Sequence, residues 1–172
     1  MSITYRLAKL SDLPTLDNIL HQAVIALKQQ GVNQWQNHSV TKQDLELAIE
    51  RQSIVSQPYV WELNNQIIGF ALLQSTDPYY RQLKSGKFSF HGDYFAIHRV
   101  MVSDKVIGKR VTKQMFSDIQ QIAHSQDIQI LRIDTHPDNS KMQHIIVREN
   151  FKYCGTTIVG DGGLRLVYEK NI

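Results

Sequence analysis

The sequence has little cysteine and no long apolar run. Among its 172 residues Cys154 is the single cysteine, which excludes an internal disulfide and fits a reducing compartment. No apolar run approaches the ~20 residues that a membrane-spanning helix needs. The N-terminal stretch MSITYRLAK also lacks the apolar core of a signal peptide. We therefore expect a soluble, cytoplasmic protein that does not associate with a membrane.

The sequence also has little excess charge, with a formal net charge of +3. Its lysines and arginines do not cluster, and no helix-turn-helix or aromatic RNA-binding motif is present, so nucleic-acid binding has little support. The mild positive excess suits a small anionic ligand. Hydrophobic residues make up 42% of the chain, enough for a packed core. The length predicts a single domain over residues 1–172.

Hydrophobic periodicity and capping signals predict the order β-α-α-β-β-β-α-β-α-β-β. The predicted features are a strand at 3–7, a helix from an N-cap at Ser11 to Gly31, a helix from a Thr41–Asp44 capping box to about Gln52, two strands around Asn64-Asn65, a loop at 75–93, a strand at 94–102, a helix from Gly108 to about Ser125, a strand at 130–135, a helix from Pro137-Asp138 to Asn150, and a hairpin around 160–163. This order predicts a mixed sheet covered by helices.

The predicted central strand, YFAIHRVMV at 94–102, carries a candidate base. Alternation predicts two faces, one with Tyr94, Ala96, His98 and Val100, the other with Phe95, Ile97, Arg99 and Met101. His98 is a candidate general base because an unperturbed histidine has a pKa near ~6.5. The alternative interpretation is a histidine whose hydrogen bonds are satisfied within the sheet.

The stretch VSDKVIGKRVTKQMF at 102–116 predicts an anion-binding site. A strand leads into Gly108, Lys109 and Arg110, and a helical pattern follows. A helix N-terminus presents unpaired N–H groups and the positive end of its dipole, and both favour a phosphate. The alternative interpretation is that Gly108 is a turn residue and the two cations are solvated.

Three segments resemble the GNAT family of N-acetyltransferases. They are HRVMVSDKVIGKRVTKQMF at 98–116, RIDTHPDNSKMQHIIVRENFKYCG at 132–155 and GGLRLVYEK at 162–170. With the order of elements, the resemblance covers nearly the whole chain. It implies an α/β (α+β) fold of the acyl-CoA N-acyltransferase type, a mixed, largely antiparallel sheet flanked by helices. Proteins of this fold are often dimers, so a homodimer is possible.

The resemblance implies that acetyl-CoA is the cosubstrate, with no metal. The acetyl group would pass to a primary amine of a small molecule or of a protein or peptide, by direct attack in a ternary complex. The implied cofactor-binding residues are Val100, Met101, Val102, Lys105, Val106, Ile107, Gly108, Lys109, Arg110 and Asn139. Asn139 also reads as a helix N-cap, and the two roles are compatible.

The sequence departs from the family pattern at several positions, among them Asn150, which replaces the glycine before Phe151. Three further departures bear on the site. With Gly108 as the last small residue of the cofactor motif, Ser103 replaces the leading Arg or Gln, and Val106 replaces the first glycine. Ile146 stands where the family has the tyrosine that protonates the leaving thiolate. The third departure raises an alternative function, a non-catalytic acyl-CoA-binding or regulatory module on the same fold.

Two aromatic residues are further candidates for the site. Tyr153 is the candidate replacement acid, and its alternative is ordinary half-buried packing. Trp35, in the polar segment between the first two helices, is expected to border the acceptor pocket or to cover the core.

Overall fold

Eight strands and four helices make up the fold in the computed structural model, which describes residues 2–172. The strands are β1 Ile3–Leu7, β2 Ser56–Leu63, β3 Gln66–Gln74, β4 Ser85–Gly86, β5 Tyr94–Val102, β6 Ile130–Thr135, β7 Lys152–Ile158 and β8 Leu164–Asn171. The helices are α1 Leu13–Gln29, α2 Lys42–Glu50, α3 Val111–His124 and α4 Ser140–Arg148. The predicted order is confirmed, with the short β4 added inside the predicted loop at 75–93. Within residues 2–172, no helix is long and apolar enough to span a membrane.

The strands form one mixed sheet in the order β1-β2-β3-β5-β6-β8-β7-β4. All neighbours are antiparallel except β5 and β6, which run parallel. The predicted mixed, largely antiparallel sheet flanked by helices is therefore confirmed. The parallel pair is short, since Tyr94–Ile97 of β5 pairs with Ile130–Ile133 of β6 and the two strands then separate.

Helices cover both faces of the sheet. The predicted apolar stripe of α3, which is Val111, Met115, Ile119, Ile122 and Ala123, is fully buried. It packs with Phe95 and Ile133 of the sheet in a first core cluster. On the other face, α1 and α2 bury Leu16 and Leu45 against Phe70 in a second core cluster. Both helix layers follow from apolar side chains at helical spacing.

The predicted capping and turn signals are mostly confirmed. Thr41 and Asp44 form the reciprocal capping box of α2, with the Thr41 N–H donating to the Asp44 carboxylate at 2.7 Å. Asn64 and Asn65 take positive φ in the β2–β3 turn, and Asn150 does so after α4, with φ of 65°.

The predicted N-cap of α1 is wrong by one residue. Ser11 lies inside a 3-10 turn, Leu10–Asp12, and Asp12 is the N-cap. The Asp12 carboxylate accepts from the Lys9 N–H at 2.8 Å and from Arg6 at 2.7 Å. These bonds draw the chain into the turn before the helix begins.

A β-bulge at Arg99 corrects the predicted faces of β5. Arg99 has φ of 54°, and the register between β3 and β5 shifts at this point. Arg99 stays on the face of His98, where it reaches α2, while Val100 packs in the first core cluster and Met101 in the second. The predicted faces of these three residues are wrong because a bulge adds one residue to the alternation, which the period alone cannot reveal.

Candidate functional site

A cavity of about 1050 Å³ opens where β5 and β6 separate. Its walls come from β5, the end of β6, the first turns of α3 and α4, and the segment between α1 and α2. Its volume matches that of pockets that hold small molecules and cofactors, about 300–1,000 Å³. The separation of two strands in the middle of the sheet therefore creates a candidate site.

Most of the predicted site residues line this cavity. They are Trp35, His98, Val100, Met101, Val102, Val106, Ile107, Gly108, Arg110 and Asn139. Lys105 and Lys109 instead line a second, smaller cavity beside β3, which Val106 also borders. Tyr153 lies outside both cavities, with 57% of its surface exposed, and stacks edge-on against Tyr168 at 5.7 Å.

The start of α3 forms the anion-attracting end of the cavity. The first hydrogen bond of this helix runs from the Gln114 N–H to the Arg110 carbonyl at 3.3 Å, so the N–H groups before Gln114 are not used by the helix. Gly108 has φ of 81°, and a Cβ at this position would meet no atom within 4 Å, so its backbone is open to a ligand. The cavity-lining cations Lys141 and Arg148 lie on the neighbouring α4. This end suits phosphate groups.

Val106 has a different role from that of a loop glycine. It lies in a 3-10 turn, Asp104–Val106, and is only 5% exposed. Its side chain packs in the first core cluster. The residue that replaces the family's first glycine thus anchors the loop to the core.

The middle of the cavity follows an unpaired strand edge. Residues 98–102 of β5 pair with β3 on one side and, within the described chain, with no strand on the other. An extended ligand can form main-chain hydrogen bonds along such an edge. The edge connects the α3 end of the cavity with His98.

A cluster of polar side chains occupies the other end of the cavity. One ligand atom each from Asp77, His98 and Asp134 lies within 4.8 Å of the other two, and all three residues line the cavity. The Tyr80 hydroxyl donates to Asp134 Oδ2 at 2.6 Å, and the Tyr79 N–H donates to Asp77 Oδ1 at 2.7 Å. Such a cluster can receive an ammonium group or a metal ion, and the predicted absence of a metal stays a prediction.

Burial shapes the electrostatics of this cluster. Desolvation raises the pKa of Asp134, and the nearby Asp77 raises it further, while His98 and the bond from Tyr80 oppose the shift. Burial also raises the pKa of Tyr80 well above its ordinary value, so Tyr80 remains a hydrogen-bond donor. A cation bound here would favour the ionised form of Asp134.

Two buried polar atoms at the cavity have no hydrogen-bond partner. They are His98 Nε2 and Thr135 Oγ1, and both residues line the cavity. His98 Nε2 is 3.1 Å from Asp77 Oδ2 without the geometry of a hydrogen bond, so the two groups form an ion pair only when the imidazole carries a proton. A buried polar group without a partner costs about 1–3 kcal/mol, so a ligand that satisfies these atoms is favoured.

A buried hydrogen bond joins two walls of the cavity. Asn139 Oδ1 accepts from the Met142 N–H at 3.0 Å, which confirms the predicted N-cap of α4. Its Nδ2 donates to Gln34 Oε1 at 2.9 Å. Trp35, which follows Gln34 in the chain, lines the cavity and packs against the second core cluster. Its contact with an acceptor stays a prediction. The α1–α2 segment is thereby fixed to the start of α4.

Two other residues considered from the sequence, Ile146 and Cys154, do not line the cavity. Ile146 is fully buried in the first core cluster and does not line the cavity. Cys154 Sγ donates to the Val167 carbonyl at 3.3 Å, and burial raises the pKa of Cys154 to about 12, so the thiol is an inert packing group.

At the polar end of the cavity, sequence reasoning missed Asp77, Tyr79, Asp134 and Thr135. Asp134 and Thr135 end β6, beside the strand of His98, and the carboxyl end of a predicted parallel strand is a signal that could have identified them. Asp77 and Tyr79 lie in the predicted loop at 75–93, where no period predicts the position of a side chain.

Comparisons with known proteins agree with this geometry. The model of the acetyltransferase (GNAT) family matches residues 22–150, whereas no curated protein sequence matches. A GNAT acetyltransferase structure from Streptococcus agalactiae has a TM-score of 0.84 at 21% identity, covering 99% of this chain and 95% of that one. PaiA N-acetyltransferase from Thermoplasma acidophilum, in complex with coenzyme A, has a TM-score of 0.74 at 17% identity, covering 100% of both chains. An aminoglycoside acetyltransferase in complex with coenzyme A and kanamycin has a TM-score of 0.70 at 19% identity, covering 99% and 95%. This chain shares its fold with all three structures. Because the family model matches most of the chain, the chain belongs to the GNAT family of acetyltransferases.

Proposed function

We propose that the protein transfers the acetyl group of acetyl-CoA to a primary amine by direct attack in a ternary complex. One observation carries the proposal. A single cavity joins the anion-attracting start of α3 to the Asp77–His98–Asp134 cluster along the unpaired edge of β5. The coenzyme A bound in two of the similar structures supports the same cosubstrate.

In this proposal acetyl-CoA lies along the length of the cavity. The Gly108 N–H, the N–H groups at the start of α3 and the Arg110 guanidinium bind the phosphates. The Ile107 and Lys109 N–H groups are used within the loop, where they donate to the Asp104 and Val106 carbonyls. The backbone of residues 100–102 binds the pantetheine arm as a neighbouring strand would. The second N–H of the Asn139 amide is a further donor for this arm, since only one is needed for Gln34. The thioester then lies near His98, where β5 and β6 begin to separate.

The polar cluster prepares the amine. The acceptor enters as an ammonium ion between the carboxylates of Asp77 and Asp134, and His98 Nε2 removes its proton. The nitrogen lone pair attacks the thioester carbonyl carbon, and the cationic nitrogen of the tetrahedral intermediate then loses its second proton to water in the open cavity. The C–S bond breaks as this intermediate collapses to the amide. The leaving thiolate must then gain a proton.

We assign that last proton to Tyr79. Of the tyrosines in residues 2–172, it is the one that lines the cavity, and 40% of its surface is exposed. Tyr79→Phe is expected to lower kcat by about 100- to 10,000-fold if its hydroxyl acts as the acid. Tyr153→Phe is the matched control, since it tests the candidate that the sequence suggested. A loss of kcat confined to Tyr153→Phe would refute the assignment.

Release of free thiol from acetyl-CoA in the presence of single amines tests the function itself. The panel should include amino acids, polyamines, aminoglycosides and lysine-containing peptides. Thiol release that requires a particular amine, with the acetylated product identified by mass, is the expected result. Tight acetyl-CoA binding without transfer to any amine would instead favour the non-catalytic acyl-CoA-binding module. The burial of Ile146 at the family's tyrosine position is the observation behind that second candidate.

A further inference from the structure

Arg99 is a half-buried cation without a carboxylate partner. Its Nη1 donates to the Asp44 carbonyl at 3.0 Å, and within residues 2–172 no carboxylate lies within 4.0 Å of its guanidinium. Arg165, by contrast, pairs with Asp161 at 2.9 Å, and Arg132 is stacked between two aromatic rings. A cation removed from water and left without an anion is unfavourable unless a ligand supplies one.

Burial is the main influence on this guanidinium. It lowers the pKa of Arg99, and the more distant carboxylate of Asp44 opposes the shift. An arginine nonetheless stays protonated at neutral pH. The Asp44 carboxylate is engaged by the Thr41 N–H and hydroxyl, both at 2.7 Å, so it is held away from pairing with Arg99.

The position of Arg99 separates it from the phosphate end of the cavity. Arg110, Lys141 and Arg148 line the cavity at the start of α3 and along α4. Arg99 lies on the opposite face of the sheet, which α1 and α2 cover, and it lines the cavity there. Because the pantetheine arm carries no charge, acetyl-CoA offers no anion for Arg99 at this place.

The bulge places Arg99 next to the proposed amine site. Without the bulge, His98 and Arg99 would point to opposite faces, as alternation along a strand requires. With it, both lie on the α1–α2 face and both line the same cavity. One ligand in this cavity can therefore contact His98 with an ammonium group and Arg99 with an anion.

We infer that the acceptor is a small amino acid-like molecule whose carboxylate binds Arg99 while its amine occupies the Asp77–His98–Asp134 cluster. This inference rests on the proposed amine acetylation. A guanidinium recognises a carboxylate through paired N–H donors, so Arg99 selects acceptors that carry one. Arg99 is a specificity-determining residue, and a lysine on a protein surface, which has no such carboxylate, is a poor acceptor.

The test compares each L-amino acid with its own amide, which keeps the amine and loses the negative charge. The kcat/KM of the wild type is expected to favour the acid by about 10- to 100-fold, the effect of one charged hydrogen-bonded pair. Arg99→Gln should reduce this acid-to-amide ratio towards one, mainly through KM for the acid. Arg99→Lys should restore part of the ratio because it keeps the charge.

Two controls separate charge recognition from other effects. Lys42→Gln removes an exposed cation from α2, outside the cavity, and should leave the ratio unchanged. Melting temperatures of the Arg99 variants show whether they fold. A wild-type enzyme that acetylates amides as well as acids, or a ratio that survives Arg99→Gln, would overturn the inference while leaving amine acetylation intact.

Binding measurements test the role of Arg99 even if the protein acetylates none of the amines. Calorimetric titration of amino acids and their amides into the protein with coenzyme A should show tighter binding of the acid in the wild type and no difference in Arg99→Gln. If no amine is acetylated, the proposed function fails, and this titration still tests Arg99. Equal binding of acid and amide would then refute its role.

Discussion

His98 occupies the point of β5 where the pairing with β6 ends. Its Nε2 is buried yet lacks a hydrogen-bond partner, and the carboxylate of Asp77 lies 3.1 Å away. Such an atom is available to a substrate proton, while Asp77 stabilises the ring when it becomes charged. These contacts make Asp77 a positioning residue for His98.

Replacement of His98 tests this arrangement. His98→Gln is expected to lower the rate of acetyl transfer by about 100- to 10,000-fold, the usual contribution of a general base. The wild-type rate is expected to rise with pH, and this rise should disappear in the variant. Steady-state kinetics from about pH 5 to about pH 9, a range that brackets an ordinary histidine, measure both effects. His124→Gln, at the exposed end of α3, is the control, and an equal loss in that variant would point to stability instead of chemistry.

The Asp134 carboxyl makes the free energy of unfolding depend on pH. Because burial raises its pKa in the folded state, ionisation favours the unfolded chain. Below the ordinary pKa of about 3.9 the group is neutral in both states and has no effect. As pH rises above that value, the wild type should lose stability relative to Asp134→Asn, whose amide oxygen still accepts from Tyr80.

Melting temperatures from about pH 4 to about pH 8, starting near the ordinary pKa of an aspartate, measure this difference. The melting temperature of the wild type minus that of Asp134→Asn should fall as pH rises. Asp93→Asn, which removes an exposed carboxylate in the β4–β5 loop, should give a difference that stays flat. A difference for Asp134→Asn that grows with pH would contradict the assigned direction of the shift.

At the scale of elements, the loop before α3 is held by packing as well as by turns. Val106 is 5% exposed in the first core cluster, whereas the adjacent Ile107 is 60% exposed. Val106→Gly would restore the family's glycine but is expected to lower the free energy of unfolding by about 2–4 kcal/mol, through a lost core side chain and a more flexible backbone. Ile107→Gly should have a clearly smaller effect. Urea denaturation of both variants makes the comparison, and equal losses would show that the backbone term dominates.

Elements with a strong local signal were predictable from the sequence. The stripe of α3 followed from its helical spacing, and the Thr41–Asp44 box and the Asn64–Asn65 turn followed from capping and positive φ. The bulge at Arg99 was not predictable from the sequence, because the position of the extra residue depends on strand pairing and not on local preference. The two-residue strand β4 also depends on a distant partner, β7.

The candidate site was predictable only in part. The proposed cofactor end lies on consecutive residues of a strand, loop and helix, so a local pattern could predict it. The amine end joins Asp77 of a loop, His98 of β5 and Asp134 of β6, which are far apart in sequence. Their proximity depends on sheet topology, and only His98 was selected, for its residue type. The burial of Ile146 likewise depends on tertiary packing.

At the scale of the whole molecule, the cavity interrupts the sheet, so a ligand there contacts both halves of the fold. Acetyl-CoA at a hundredfold excess over its Kd should stabilise the protein by about 2.7 kcal/mol, equivalent to a rise in melting temperature of roughly 5–10 °C for a chain of this size. The adenosine-phosphate half should account for most of this shift and pantetheine for little. Thermal denaturation with each fragment measures the contributions, and equal shifts would contradict phosphate binding at α3.

The Arg110→Ala variant tests the proposed phosphate contact through the affinity for coenzyme A. Loss of one charged hydrogen bond to phosphate should weaken coenzyme A binding by about 1.5–3 kcal/mol. Lys113→Ala removes an exposed cation from the first turn of α3, outside the cavity, and serves as the control. Calorimetry gives both dissociation constants, and a silent Arg110→Ala would show that the Arg110 side chain does not bind the phosphates.

The hydrogen bond between Gln34 and Asn139 has a consequence for how the binding of one ligand affects the binding of the other. It connects the segment that borders the acceptor end to the start of α4, beside the cofactor arm. A cofactor that reorients the Asn139 amide changes what Gln34 and Trp35 present to the second substrate. Linkage is reciprocal, so an acceptor that prefers the new arrangement must tighten cofactor binding by the same factor. A single amide pair can thus couple the two ends of the cavity, so that each substrate tightens the binding of the other.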